Sequence, residues 1–324
     1  MLDFLDKVDI ISESNYSYEM TNLVEPYLQK RRRDDFFLSS DGKKLHYEAY
    51  EKLLSRGSIV ILHGFTESAE KFRETAYYLR KAGYSVFSVD LRGHGKSHHD
   101  SDNPLRVDID TFDTYAEDLN IFISKIVKPL SKDKNIYIYS HSLGSTVALL
   151  YMMKHPDFVS KAVLSSPMIC GNMGMPTAVA GTVAKALCSL GGKKIGAPGR
   201  CVFDQNQTAD NSDAASEARF SYYHEKRKKE PLYQTSGPSF SWVRASLEAR
   251  DKIMSDSGIS QLRAKMLIFK PETDRQLLGE WTDRFADKAE IKVKDVRNSR
   301  HEIFMSGDET LKWYMEEILE FYAE

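Results

Sequence analysis

Cysteine is scarce. Cys170, Cys188 and Cys201 are the 3 cysteines among 324 residues. They are an odd count without metal or redox spacing, which argues against a disulfide framework. Unpaired thiols fit a reducing compartment. An excess charge of either sign is also missing. The 45 basic and 47 acidic residues leave a formal net charge of −2, so the chain exerts no overall pull on polyanions, and nucleic acid is not an expected partner. The N-terminal stretch MLDFLDKVDIISESNYSYEM lacks the basic end, apolar core and small-residue cleavage site of a signal peptide. It reads as retained and the protein as cytoplasmic. One stretch, Ala162 to Ala184, carries no charged residue and is long enough to suggest a membrane span. Ser165-Ser166-Pro167, Gly171-Asn172, Gly174 and Pro176 would break any single helix there.

What is present suits a globular protein. The apolar fraction is 41% and the charged fraction 28%, and the length allows one large domain or one domain with an insertion. Strand and helix signals alternate. Lys44–Tyr50, Ser58–Leu62, Tyr84–Asp90, Asn135–Tyr139, Lys161–Ser165, Lys265–Phe269 and Ile291–Val296 read as strands. Helical spacing fills Ser68–Ala82, Thr111–Val127, Leu143–Lys154, a stretch through Trp281 and Phe285, and Glu309–Tyr322. This alternation predicts an α/β fold with a mostly parallel sheet and helices on both faces. From Pro167 to about Asp256 the rhythm breaks, which predicts an insertion with helices of its own. One spans Pro176–Leu190, with Val179, Val183 and Leu187 on one face. The expected partition is an N-terminal extension (1–34), a core (35–167 and 257–324) and an insertion (168–256). The basic run Lys226–Lys229 reads as a solvated face, with phosphate or membrane-surface binding as the other reading.

The candidate chemistry sits at strand ends. Tyr139-Ser140-His141-Ser142-Leu143-Gly144 joins a buried strand to a helix, so Ser142 would occupy a sharp turn with its hydroxyl pushed out above the sheet edge. That turn demands small residues two before and two after the serine. Gly144 and Ser140 supply them, although Ser140 replaces the usual glycine. His63-Gly64-Phe65 follows another buried strand. The backbone N–H groups of Phe65 and Leu143 are therefore the expected oxyanion donors. Asp274 and His301 both fall just past strands, at the sheet edge where ligands bind in such folds. The order Ser142, Asp274, His301 is the order this fold uses. Serine needs a base to take its proton, and the base needs a carboxylate to fix its tautomer. Glu272, Asp295 and Glu302 are near enough in sequence to rival Asp274. Asp90-Leu-Arg-Gly-His-Gly-Lys-Ser97 lacks the spacing of a phosphate loop and reads as a rigid turn. His94, His98 and His99 have no carboxylate or cysteine at ligand spacing, so no metal is expected.

Together HGFTES, DLRGHGKS, SHSLG, the Asp274-Arg275 pair and the Ser299–Ile303 run resemble the monoacylglycerol lipase and lysophospholipase group of α/β-hydrolases. Asn298–Glu302 and Ser236–Trp242 look closest to lysophospholipase L2-like proteins. The resemblance covers about residue 35 onward. It implies an eight-stranded α/β-hydrolase sheet, a helical lid over 168–256, and Ser142, Asp274 and His301 as a catalytic triad. It implies an acyl ester or lysolipid as substrate, no cofactor, and transient membrane contact. His141 and Trp242, inside the matching motifs, are expected to contact the substrate. Two departures, Ser140 and Ser145 in place of frequent glycines, bear on activity. Three readings remain open: an ester hydrolase for monoacyl lipids, a triad enzyme on another bond (a small ester or an N-terminal peptide), and a non-catalytic binding module. An aminopeptidase needs lid carboxylates to hold a free amine, and Glu217 and Glu225 are candidates.

Overall fold

The computed structural model describes residues 9–131, 135–197 and 202–324. The first eight residues of the N-terminal stretch, and Cys201, lie outside them. Eight strands form one sheet: β1 (Arg32–Leu38), β2 (Lys44–Tyr50), β3 (Ser58–Leu62), β4 (Ser85–Val89), β5 (Ile136–His141), β6 (Lys161–Ser165), β7 (Lys265–Pro271) and β8 (Lys292–Val296). Their spatial order is β1-β2-β4-β3-β5-β6-β7-β8. β2 runs antiparallel to both its neighbours, and the pairs from β4 to β8 are parallel. The longer helices are α1 (Arg73–Lys81), α2 (Asp113–Phe122), α3 (Leu143–Lys154), α4 (Thr177–Ser189), α5 (Glu217–Lys229), α6 (Phe240–Ile253), α7 (Gly279–Lys288) and α8 (Asp308–Ala323). The mostly parallel α/β sheet expected from the alternation is present.

The central strands are buried on both faces, and alternate residues feed two cores. Val60 and Leu62 of β3 join a cluster with α2, α3 and α6, whereas Ile59 and Ile61 join one with α1 and α8. β1 escaped the sequence reading for a physical reason. It is an edge strand of sequence Arg-Arg-Asp-Asp-Phe-Phe-Leu in which Phe37 alone is buried, so it carries little apolar alternation.

Ala162 to Ala184 is not one helix. It divides into the end of β6, a loop, and the start of α4. No helix among the described residues is long and apolar enough to cross a membrane. Among the described residues, 168–256 hold three of these longer helices, with different surroundings. α6 is sunk into the first core through Trp242, Val243, Ala245, Ala249 and Ile253. α4 lies on α6 through Ala180 and Ala184, its buried residues, and a Cβ at Gly181 would stand 3.2 Å from Leu247. The face bearing Val179 and Val183 consequently looks outward, 50% and 39% exposed. Periodicity identified that face but not its direction.

α5 is tied down by charge. Arg219 is completely buried, and its guanidinium donates to both carboxylate oxygens of Glu74, to Asp308 at 3.0 Å and to the Ile11 carbonyl at 2.9 Å. Tyr16 and Tyr78 donate their hydroxyls to the same Glu74. The N-terminal segment contributes Tyr16, Met20, Val24 and Leu28 to the second core. The basic run at the end of α5 is not simply solvated, as expected from its composition. Lys226 pairs with Glu25 and Glu70, and Arg227 donates to the Tyr233 carbonyl at 2.8 Å.

Candidate active site

β5 delivers Ser142 into a turn with φ 49° and ψ −117°, a strained conformation for a residue with a side chain. Three backbone bonds hold it. Ser142 N–H donates to the Ser165 carbonyl at 3.0 Å, and its own carbonyl accepts from Ser145 at 2.9 Å and Met168 at 3.1 Å. Glycine is obligatory at 144, where a Cβ would lie 2.3 Å from the Leu62 carbonyl oxygen. α3 begins at Leu143, so the Leu143 N–H is among those that a helix leaves without an internal partner. Across from it, the Gly64 N–H is taken up by Glu67 Oε2 at 2.6 Å. The next N–H along this loop is that of Phe65.

Asp274 stands past the end of β7 and His301 past the end of β8. The structure brings both to Ser142. His301 Nδ1 lies 2.8 Å from Asp274 Oδ2, and Nε2 lies 3.0 Å from Ser142 Oγ. A carboxylate can only accept, so Nδ1 carries the proton and the neutral ring presents the Nε2 lone pair to the serine hydroxyl. Asp274 Oδ1 accepts the backbone N–H groups of Gln276 at 2.8 Å and Leu277 at 3.0 Å. Burial works against the Asp274 charge, but the His301 bond and these two N–H groups hold its carboxyl below the usual aspartate value. Burial likewise disfavours the His301 imidazolium, yet Asp274, then Asp213 and Glu302, outweigh it and raise its pKa.

The rival acids face elsewhere. Glu302 Oε1 accepts from Lys71 at 2.5 Å, and Glu272 Oε2 accepts the Asn298 N–H at 2.6 Å. Asp295 is exposed.

The two residues expected to contact substrate are both buried. His141 is 1% exposed and its ring lies 4.8 Å from that of His301. Burial, then the nearby His301 and Lys71, push its pKa well below the ordinary histidine value, so it is neutral. Trp242, 4% exposed, packs its ring 4.5 Å from Phe65 and 5.3 Å from Phe112. The Asp90–Ser97 segment is a rigid turn about Asp90, whose carboxylate accepts the N–H groups of Ala69 and Lys96 and bonds His46. A Cβ at Gly95 would lie 2.4 Å from that carboxylate. His98 lies 3.1 Å from Asp100, a pairing its spacing did not suggest. Among the described residues one group has metal-ligand geometry, Asp34, His46 and Glu48. Both ring nitrogens of His46 already bond carboxylates, and Glu48 is held by Arg73.

Sequence reasoning missed the supports around the triad. Lys71 is enclosed between Glu67 and Glu302, joining the loop of Phe65 to the loop of His301. Its i,i+4 spacing from Glu67 was the one legible signal.

A doubly covered parallel sheet with a strained serine between strand and helix, and histidine and aspartate at neighbouring strand ends, defines an α/β-hydrolase. The family model described as serine aminopeptidase S33 (Hydrolase_4) matches residues 54–308, and the chain belongs to that family. Lysophospholipase L2 of Escherichia coli strain K12 is 26% identical over 302 residues, covering 90% of this chain and 88% of that protein. The monoacylglycerol lipase of Mycolicibacterium smegmatis is 24% identical, covering 86% of this chain and 94% of its own. Among solved structures, a soluble variant of the Saccharomyces cerevisiae monoglyceride lipase superposes with a TM-score of 0.69 at 18% identity, covering 90% of this chain and 94% of that one. A thermostable carboxyl esterase from Bacillus coagulans gives 0.72 at 19%, covering 90% and 98%.

Proposed function

We propose that the protein is a serine hydrolase that cleaves the carboxylic ester of a monoacyl lipid, as a lysophospholipase or monoacylglycerol lipase does, through an acyl-enzyme on Ser142. The observation that carries this reading is His301, which bonds Asp274 with one ring nitrogen and Ser142 with the other. The acyl carbonyl binds against the N–H groups of Phe65 and Leu143. Ser142 attacks as His301 takes its proton, and that proton leaves with the alcohol. Water activated by His301 then frees the fatty acid. Both named relatives at this level of similarity act on monoacyl lipids by their names. A long acyl chain would gain from burial under a cover, each buried methylene contributing about 0.8 kcal/mol. In this reading α4 and its flanks form the cover, and a lipid substrate brings transient contact with a membrane.

The name of the family favours a second reading, a peptidase that releases an N-terminal residue. The two lid glutamates that the sequence offered for amine binding, Glu217 and Glu225, are exposed, and Glu225 pairs with Lys228.

The test is labelling with a fluorophosphonate, location of the adduct by peptide mass spectrometry, and a parallel panel of monoacyl esters of rising chain length and aminoacyl amides. Label on Ser142 with turnover rising with chain length is the expected result. Label on Ser142 with turnover confined to aminoacyl amides moves the reading to the peptidase. No label and no turnover leave a binding module.

A further inference from the structure

We infer that Asp213, carried by the inserted segment, is a positioning residue that holds the loops of His301 and Asp274 in register; this rests on the triad reading above. Asp213 bonds both loops at once. Its carboxylate Oδ2 accepts from Gln276 Nε2 at 2.8 Å, and the Gln276 backbone N–H donates to Asp274 Oδ1, also at 2.8 Å. Its backbone carbonyl accepts the N–H of Glu302, the residue after His301, at 3.0 Å. One residue of the insertion is thus one side chain away from the acid and one peptide away from the base.

The surrounding bonds make this a brace rather than a chance contact. Arg300, before His301, donates to the carbonyls of Ala209 at 2.7 Å and Ala214 at 3.0 Å. Beyond the histidine, the Met305 carbonyl accepts the N–H groups of Ala215 at 3.2 Å and Ser216 at 2.9 Å. Residues 209–216 are therefore laced to both sides of His301. They run directly into α5, which Arg219 anchors to Glu74 and Asp308. The insertion divides at this point: 209–216 belongs mechanically to the catalytic base, whatever α4 does.

Without Asp213 the tip of the Asp274 loop loses its tie to this brace, although the loop bases stay paired through Glu272 N–H on the Val296 carbonyl and Thr273 N–H on the Ser299 carbonyl. The loss is one of orientation, which lowers turnover more than binding. The brace needs an acceptor at 213, not a charge, so asparagine suffices. Glu302, His301, Lys71 and Gln276 face the Asp213 carboxylate, and the charge itself plays no part in the inference.

The experiment compares Asp213→Ala, Asp213→Asn, Gln276→Ala, Asp213→Ala/Gln276→Ala and Ser142→Ala on a p-nitrophenyl acyl ester. Folding is followed by circular dichroism. Asp213→Ala should lower kcat by about tenfold or more at unchanged KM, Asp213→Asn should recover most of that loss, and the double variant should be no worse than either single one. Should Asp213→Ala fail to fold, the half-buried Gln276→Ala breaks the same bond from the other side and must show the same kcat loss. Wild-type kcat in the alanine variants overturns the inference, as does equal impairment of Asp213→Asn and Asp213→Ala. Turnover by Ser142→Ala would overturn the triad reading and this one with it. An inactive Ser142→Ala beside a fully active Asp213→Ala removes this inference alone.

Discussion

The hydroxyls of Ser140 and Ser145 meet across the Ser142 turn, 3.0 Å apart, while Ser140 Oγ also donates to the Val163 carbonyl at 3.0 Å. The two positions at which this chain departs from glycine are thus one paired feature. Both side chains are fully buried. Ser145→Ala removes one buried bond and should cost about 1 kcal/mol by urea unfolding. Adding Ser140→Ala should cost less than the sum of the singles, with a coupling of about 0.5 kcal/mol or more. Turnover of the folded variants should stay at the wild-type level. Strict additivity would mean that the two serines do not act as a pair.

Asp274 and Glu302 can be told apart kinetically. Asp274→Ala leaves the His301 tautomer unfixed and removes the largest support of its charged form, and should reduce kcat on the order of 10^4-fold. Glu302→Ala removes one of the two carboxylates on Lys71 and leaves the Asp274 bond in place, so its loss should be far smaller, about tenfold. Steady-state kinetics of the two variants decide it. Equal losses would move the acid role to Glu302.

Much of this site was legible in the sequence because each part sits where alternation stops: Ser142 after β5, Asp274 after β7, His301 after β8. A buried parallel strand is a short apolar run, and such runs are easy to read. Three things were not legible. β1 is an edge strand with one buried residue, so its pattern is that of a surface. The outward direction of Val179 and Val183 depends on Ala180 and Ala184 meeting α6, which is a tertiary fact. Asp213 and Gln276 are an aspartate and a glutamine in loops, and a bond across 63 residues leaves no trace in local spacing.

The acid limb of kcat/KM should report His301. Catalysis needs the neutral ring, and Asp274, then Asp213 and Glu302, outweigh burial and raise the pKa of His301. Activity should therefore be lost as pH falls through a midpoint above the ordinary histidine value of about 6.5. In Asp274→Asn the residual activity should show that limb at lower pH, because the largest favourable partner of the imidazolium has lost its charge. A limb unmoved by the substitution would disconnect Asp274 from the base.

Arg219 should matter for stability more than for chemistry. It is completely buried, and replacing it with methionine leaves Glu74 with two tyrosine hydroxyls and no cation. Removing one partner of a buried pair costs about 3–5 kcal/mol. Arg219→Met should therefore lower the urea midpoint strongly, and Glu74→Gln less, because the amide still bonds. A midpoint within error of wild type for Arg219→Met would show that the N-terminal segment and α5 are held by their other contacts, such as Lys226 with Glu25 and the apolar packing.

The exposed face of α4 separates binding to an aggregated lipid from chemistry. Val179 and Val183 are 50% and 39% exposed, so each keeps much of its surface in water, and Val179→Ser/Val183→Ser should leave the unfolding midpoint within about 0.5 kcal/mol of wild type. If α4 meets the surface of a micelle or vesicle, those side chains lose their water only there, at about 25 cal/mol per Å² of apolar area. The double variant should then keep full turnover of a water-soluble short ester while its rate on micellar long-chain lysolipid falls, and its partition onto lysolipid micelles should weaken in parallel. Equal loss on both substrates would instead make the face part of the cover's packing over the triad. No loss on either would leave α4 without contact to the lipid phase and shift attention to the exposed Leu190 and Ile195 beyond its end.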